Sequence, residues 1–233
     1  MAKILVTGTS RGIGRAIRDA LQGHEVVGHS SRGGEGEIAA DLAAPGAAEQ
    51  LWAEALERLG GQIDVLVNNA GIFEAAPIGE PADDWTAAWE RTMRVNLTAA
   101  AELCRLAVLH FRERGEGGRI VNVASRAGYR GDSPDHWHYA ASKAGMIGMT
   151  KTIARAYAGE GIYAYGVAPG FTVTGMVDEY IASRGGSAFL ADIPLGRPAA
   201  AEEVAETVRW LATDAPASAT GSVIDVNGAS FVR

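Results

Sequence analysis

Short β-rich apolar runs alternate with longer amphipathic segments along the whole chain, and few folds accommodate that alternation. Lys3 to Thr7, Glu25 to His29, Glu37 to Ala40, Asp64 to Asn68, Arg119 to Val123, Tyr163 to Val167 and Val223 to Val226 read as strands. Helical periodicity covers Gly12 to Leu21, Ala47 to Leu59, Asp83 to Arg114, Tyr139 to Ala158 and Ala201 to Thr213. Strands separated by helices pair in parallel and need cover on both faces. The pattern therefore predicts an α/β doubly wound parallel sheet, Rossmann-like, of about seven strands. With no internal repeat or low-complexity linker, residues 1–233 are expected to form a single domain. One link departs from the rule: Arg32 to Glu37 joins the second and third strands with no room for a helix, where a parallel crossover ordinarily takes roughly a dozen residues.

Charge narrows the function. Acids outnumber Lys plus Arg by 28 to 21, which disfavours nucleic acid or an anionic membrane as partner and favours a small-molecule substrate. The single cysteine, Cys104, excludes an intrachain disulfide and a thiolate metal cage, as expected of a reducing cytoplasm. The apolar run Ile4 to Val6 meets turn residues at once, so no signal peptide is expected. Glycine, at 30 residues, is nearly twice its usual share of about 7%. Without a collagen period, that excess points to tight turns and to backbone that must approach a ligand closely.

Thr7-Gly8-Thr9-Ser10-Arg11-Gly12-Ile13-Gly14 follows the first strand and opens the first helix. In that context glycines bring backbone amides and a helix N-terminus up to a diphosphate. The second strand ends Ser30-Ser31-Arg32, with no acid for a ribose 2′-hydroxyl, and Arg11 adds a second cation. This pattern favours NADP(H) over NAD(H), with Ser31 and Arg32 on the 2′-phosphate. Tyr139 and Lys143, four apart at the start of a helix, share one face and can act on one substrate. Ser125 sits just past the fifth strand, and Asn96 lies inside the long preceding helix. Reducing a ketone by hydride transfer develops an alkoxide that needs positioned donors. Tyr139 is the expected acid, Ser125 the expected partner of the carbonyl oxygen. Lys143, with the positive oxidised nicotinamide, is expected to lower the phenol from its ordinary value near ~10.

The glycine spacing and the ordered Asn96, Ser125, Tyr139 and Lys143 resemble the short-chain dehydrogenase/reductase family, nearest in style to its 3-oxoacyl-(acyl carrier protein) reductases. Further elements agree over Lys3 to Gly228: Asp41-Leu42 resembles the pair flanking adenine, Asn68-Asn69-Ala70-Gly71 closes the fourth strand, and Pro169-Gly170-Phe171-Thr172-Val173-Thr174 resembles the element around nicotinamide. Asn227 and Ala229 depart from the usual Val-Asp-Gly-Gly near the end. The resemblance implies catalysis by the four residues, with Lys143 also holding the nicotinamide ribose and Asn96 positioning a relay water. It implies cofactor contacts from Gly8, Ser10, Arg11, Gly12, Ile13, Gly14, Asp41, Leu42, Asn69, Ala70, Gly71, Tyr139, Lys143, Pro169, Gly170, Thr172 and Thr174. It also implies a homo-oligomer, a tetramer or a dimer, and apolar Leu103, Leu106, Met146 and Met149 on the long helices are candidate subunit contacts.

Substrate contacts are expected from Arg126, Tyr129, His136, Phe171 and Met176, under a lid over about 175–195. A cation such as Arg126 would meet a carboxylate or phosphate. His136-Trp137-His138 lacks the neighbouring ligands of a metal site, so no metal is expected. The expected activity is hydride transfer between NADP(H) and a ketone or secondary alcohol, of the 3-oxoacyl thioester type or related. The alternatives are a sugar, polyol or other secondary-alcohol dehydrogenase of the same family, or a dinucleotide-binding sensor without turnover.

Overall fold

In the computed structural model, which describes residues 1–173 and 192–233, two apolar runs lie side by side at the centre of the sheet. β1 (Lys3–Thr7) and β4 (Val65–Asn68) pair in parallel, Ile4 opposite Val65 and Val6 opposite Val67. Both strands are covered on both faces, which is why they read as continuous apolar runs. Outward from β1 lie β2 (Glu25–Ser30) and β3 (Glu37–Ala39). Outward from β4 lie β5 (Gly118–Val123) and β6 (Ile162–Pro169). A two-strand pair, β7 (Thr172–Val173) with β8 (Ala199–Ala200), stands apart, and β9 (Val223–Val226) completes the large sheet beside β6. The order β3-β2-β1-β4-β5-β6-β9, parallel throughout, is the doubly wound sheet the sequence predicts.

Side chains alternate across β1 and sort the two layers. Ile4 and Val6 face Ile17 of α1 (Gly12–Ala20) and Val204, Val208 and Leu211 of α7 (Ala201–Thr213). Leu5 faces the opposite layer: Leu51 of α2 (Ala47–Arg58), Leu103 and Phe111 of α4 (Ala99–Arg114), and Ile153 of α6 (Trp137–Tyr157). Leu103 and Met146, candidates for subunit contact, are 1% and 0% exposed and belong to the core of this chain. Leu106 and Met149 pack partly buried against it. Among the described residues no helix is long and apolar enough to cross a membrane.

The helix expected over Asp83 to Arg114 is interrupted. α3 (Ala82–Met93) passes into a π-helical turn, Arg94–Thr98, before α4. The wider turn inserts an extra residue, a distortion that often marks a functional site. Asn96 sits inside it, fully buried. The helix-free link after β2 is confirmed: Gly33 and Gly36 adopt positive φ, and Glu37 pairs directly with Gly28.

Candidate active site

The glycine loop is shaped by packing before any ligand is considered. At Gly8 (φ +74) a Cβ would stand 2.8 Å from the Ala70 Cα, and at Gly14 one would stand 1.9 Å from the Gly8 carbonyl oxygen. Thr7 Oγ1 accepts from the amides of Asn69 and Ala70, both at 3.0 Å, and Asn69 Nδ2 donates to the carbonyls of Thr7 and Gly8. These bonds hold Gly8 to Gly14 against Asn69 to Gly71 at the carboxyl edge of the sheet. Ser10 and Arg11 are exposed and Ile13 half-buried along that loop. Among the described residues no side chain caps α1, and its first turn holds no acid. Its leading amides and positive dipole end fit a diphosphate.

His29 was not singled out by the sequence, yet it supports this loop. It is 2% exposed; its Nδ1 accepts from the Gly8 amide at 3.3 Å, while Nε2 lies 2.9 Å from the Ala40 carbonyl. Burial holds its pKa below the ordinary value. Glu37 was equally unmarked. Its side chain is 6% exposed and accepts from Thr9 Oγ1 at 2.6 Å and Ser30 Oγ at 2.7 Å. An acid therefore does reach the end of β2, delivered by β3 because the intervening helix is missing. Ser31 and Arg32 remain exposed there. Asp41 turns its carboxylate to the Ala43 amide at 3.0 Å, and Leu42 is 5% exposed in the core.

Lys143 is 4% exposed, and its Nζ donates to the Val123 carbonyl at 2.9 Å. Among the described residues no carboxylate neutralises it, and burial brings its pKa down to about 8. A Cβ at Gly71 would lie 3.3 Å from Asn96 Oδ1 and 3.6 Å from Lys143 Nζ, so this glycine keeps the space between the two open. Ser125 hydrogen-bonds the Tyr139 phenol, which favours phenolate, but burial outweighs it and pushes the phenol up to about 12. Lys143 Nζ stands 5.8 Å from the centre of the Tyr139 ring while it donates to Val123. Asn96 Nδ2 donates to the Ile72 carbonyl at 2.9 Å and to Ser142 Oγ at 3.4 Å, and Oδ1 accepts from the Ile72 amide at 2.8 Å. One amide proton thus fixes the loop after Gly71 and the other ties the π turn to α6 through Ser142.

Around Tyr139 the structure adds a residue the sequence did not flag. Phe73, exposed after the Asn-Ala-Gly turn, stacks on His136 at 3.8 Å and meets the Tyr139 ring edge-on at 4.8 Å. Nothing in the local pattern pairs positions so far apart. Arg126 is buried and its guanidinium lies 4.4 Å from the centre of the Phe171 ring. Tyr129 is drawn elsewhere, its hydroxyl accepting from Arg233 Nη1 at 2.8 Å and its ring stacked on Phe231. Gly170 packs against Asn227, where a Cβ would come within 2.8 Å, next to buried Pro169 and Thr172. Thr174, Met176 and nearly all of the expected lid lie outside the described residues.

A glycine loop shaped for a diphosphate and a phenol beside a buried ammonium, brought to one edge by a parallel sheet, fit one class: the chain is an NAD(P)-dependent oxidoreductase acting on carbonyls and alcohols. Comparison with known proteins gives the same answer. The family model described as "Enoyl-(Acyl carrier protein) reductase" matches residues 8–229. A 3-oxoacyl-[acyl-carrier-protein] reductase of Synechocystis is 39% identical, covering 96% of this chain and 94% of that protein. The FabG enzyme of the same name from Salmonella typhimurium is 35% identical, covering 98% and 96%. A crystal structure from Agrobacterium tumefaciens with bound NADP, assigned by name as a 2-deoxy-D-gluconate 3-dehydrogenase, superposes with a TM-score of 0.89 at 30% identity, covering 100% of this chain and 97% of that one. The chain belongs to the short-chain dehydrogenase/reductase family.

Proposed function

We propose that this chain is a carbonyl reductase that uses NADP(H) in preference to NAD(H), with Tyr139, Ser125, Lys143 and Asn96 as its working residues. The observation that carries the reading is Lys143, a buried ammonium with no carboxylate partner among the described residues, beside Tyr139 and behind Gly71. A buried cation without a counter-ion is costly to maintain and marks a functional site. Ser125 Oγ orients the carbonyl oxygen of the substrate and Tyr139 Oη delivers the proton to it as negative charge develops. The bound nicotinamide supplies the hydride. Lys143 is protonated at neutral pH, and its field favours the phenolate left after the proton has gone. Asn96 acts as a positioning residue through Ile72.

Preference for the phosphorylated cofactor rests on exposed Arg32, Ser31 and Arg11, since Glu37, the acid that β3 brings to the end of β2, has its oxygens engaged by Thr9 and Ser30. The substrate class follows the relatives: a 3-oxoacyl thioester or related ketone. A second class, sugar acids and polyols, is favoured by the solved structure assigned to 2-deoxy-D-gluconate. The chain is read as one cytoplasmic domain that assembles with copies of itself. Absorbance at 340 nm with NADPH and NADH in parallel, over 3-oxoacyl thioesters, ketoses and polyols, tests cofactor and substrate together. Oxidation of NADPH by at least one ketone is expected, and activity confined to NADH would overturn the cofactor preference.

A further inference from the structure

Resting on the carbonyl-reductase reading, we infer that the substrate carries an oxoanion, a carboxylate or a phosphate, which Arg126 binds beside Ser125. Arg126 directly follows Ser125, and its amide donates to the Pro169 carbonyl at 3.0 Å, so it is fixed where β5 and β6 end. Its side chain is 8% exposed, and Phe171 covers the guanidinium at 4.4 Å. Two guanidinium groups here converge on the Asp192 carboxylate, and Asp132 adds a more distant field at Arg126. Arg130 Nη1 donates to Asp192 Oδ2 at 2.8 Å, whereas Arg126 Nη1 stands 3.5 Å from the same oxygen and has no hydrogen-bond partner among the described residues.

A guanidinium keeps its proton and presents five donors in a planar fork suited to carboxylate or phosphate. Burying such a fork with a donor unmet is unfavourable unless a ligand supplies the acceptor. Asp192 is half exposed and already bonded to Arg130, so it serves Arg126 weakly. Phe171, immediately after Gly170, holds the fork by its ring face and leaves the in-plane donors for the ligand.

The test compares matched ketones: acetoacetate against methyl acetoacetate, and dihydroxyacetone phosphate against dihydroxyacetone. Turnover with NADPH is measured alongside calorimetric binding to the enzyme carrying NADP+. The wild type should prefer the anionic member of one pair at least tenfold, which also separates carboxylate from phosphate. Arg126→Gln should bring that ratio close to one, and Arg126→Lys should restore part of it. Asp192→Asn, which removes the competing acid, should tighten anion binding several-fold, the opposite of what a structural role for the bridge predicts. Equal binding of anionic and neutral members by the wild type, or a ratio unchanged in Arg126→Gln, would overturn the inference. Binding is read without turnover: anion binding that depends on Arg126 in a protein that reduces no ketone would support this site while refuting the carbonyl-reductase reading.

Discussion

Lys143 Nζ and the Val123 carbonyl oxygen lie 2.9 Å apart, binding the catalytic face of α6 to the last residue of β5. The bond aims a buried ammonium at the gap beside Gly71 without neutralising it. Lys143→Met should lower kcat/KM by about 10²–10³-fold, within the range of acid–base assistance. The same change removes an uncompensated buried charge, so the melting temperature should stay level or rise. Lys143 carries its charge below about pH 8 and loses it above. The cofactor KM of the wild type should therefore climb as pH passes 8, and Lys143→Arg should remove that limb; steady-state kinetics from pH 6 to 10 checks both.

Acid should loosen the glycine loop through His29. Its imidazole accepts from Gly8, and burial holds its pKa below the ordinary value. The unfolded chain takes up a proton near pH ~6.5 that the folded chain resists, so stability present above that pH is lost as pH falls through it. Denaturant midpoints should drop between about pH 7 and 5.5, before ordinary carboxylates titrate. His29→Gln should flatten this slope and cost about 1–3 kcal/mol at neutral pH.

Ala229 has φ 63, a left-handed conformation that favours glycine, at a position where the family pattern carries glycine. Ala229→Gly should stabilise the fold by about 1 kcal/mol, the relief of strain exceeding the added freedom of the unfolded chain. Chemical denaturation reads the gain, and a loss of stability would contradict it.

Asn122 joins three elements inside the core. Its Oδ1 accepts from Asn68 Nδ2 at 2.9 Å, its Nδ2 donates to Thr150 Oγ1 at 2.8 Å, and Thr150 donates on to the Met146 carbonyl. The chain runs from β4 through β5 to α6, the helix bearing Tyr139 and Lys143. Asn122→Leu should cost about 1–3 kcal/mol by stranding its partners. Equilibrium unfolding measures it.

What the sequence shows and what it hides divide along a physical line. The order of strands was readable because doubly covered strands are continuously apolar, as in Ile4 to Val6 and Val65 to Val67. The glycine loop was readable because its conformation depends on missing Cβ atoms at Gly8 and Gly14. The π turn around Asn96 was not, since every residue in Arg94–Thr98 is an ordinary helix occupant and the extra residue per turn leaves no periodic mark. Glu37 and Phe73 were invisible for another reason. Each acquires its role from partners distant in the chain, Thr9 for Glu37 and His136 for Phe73. Leu103 and Met146 were ambiguous because apolar helix faces look alike whether a neighbouring subunit or the chain's own core covers them.

Tyr139→Phe is the most direct test of catalysis. The variant keeps the ring that meets Phe73 edge-on and removes the hydroxyl alone. With a ketone that the wild type reduces, the rate of NADPH consumption should fall by about 10²–10⁴-fold, while calorimetry shows NADPH bound within a few-fold of wild-type affinity. A Tyr139→Phe protein that consumes NADPH at the wild-type rate would contradict proton delivery by Tyr139.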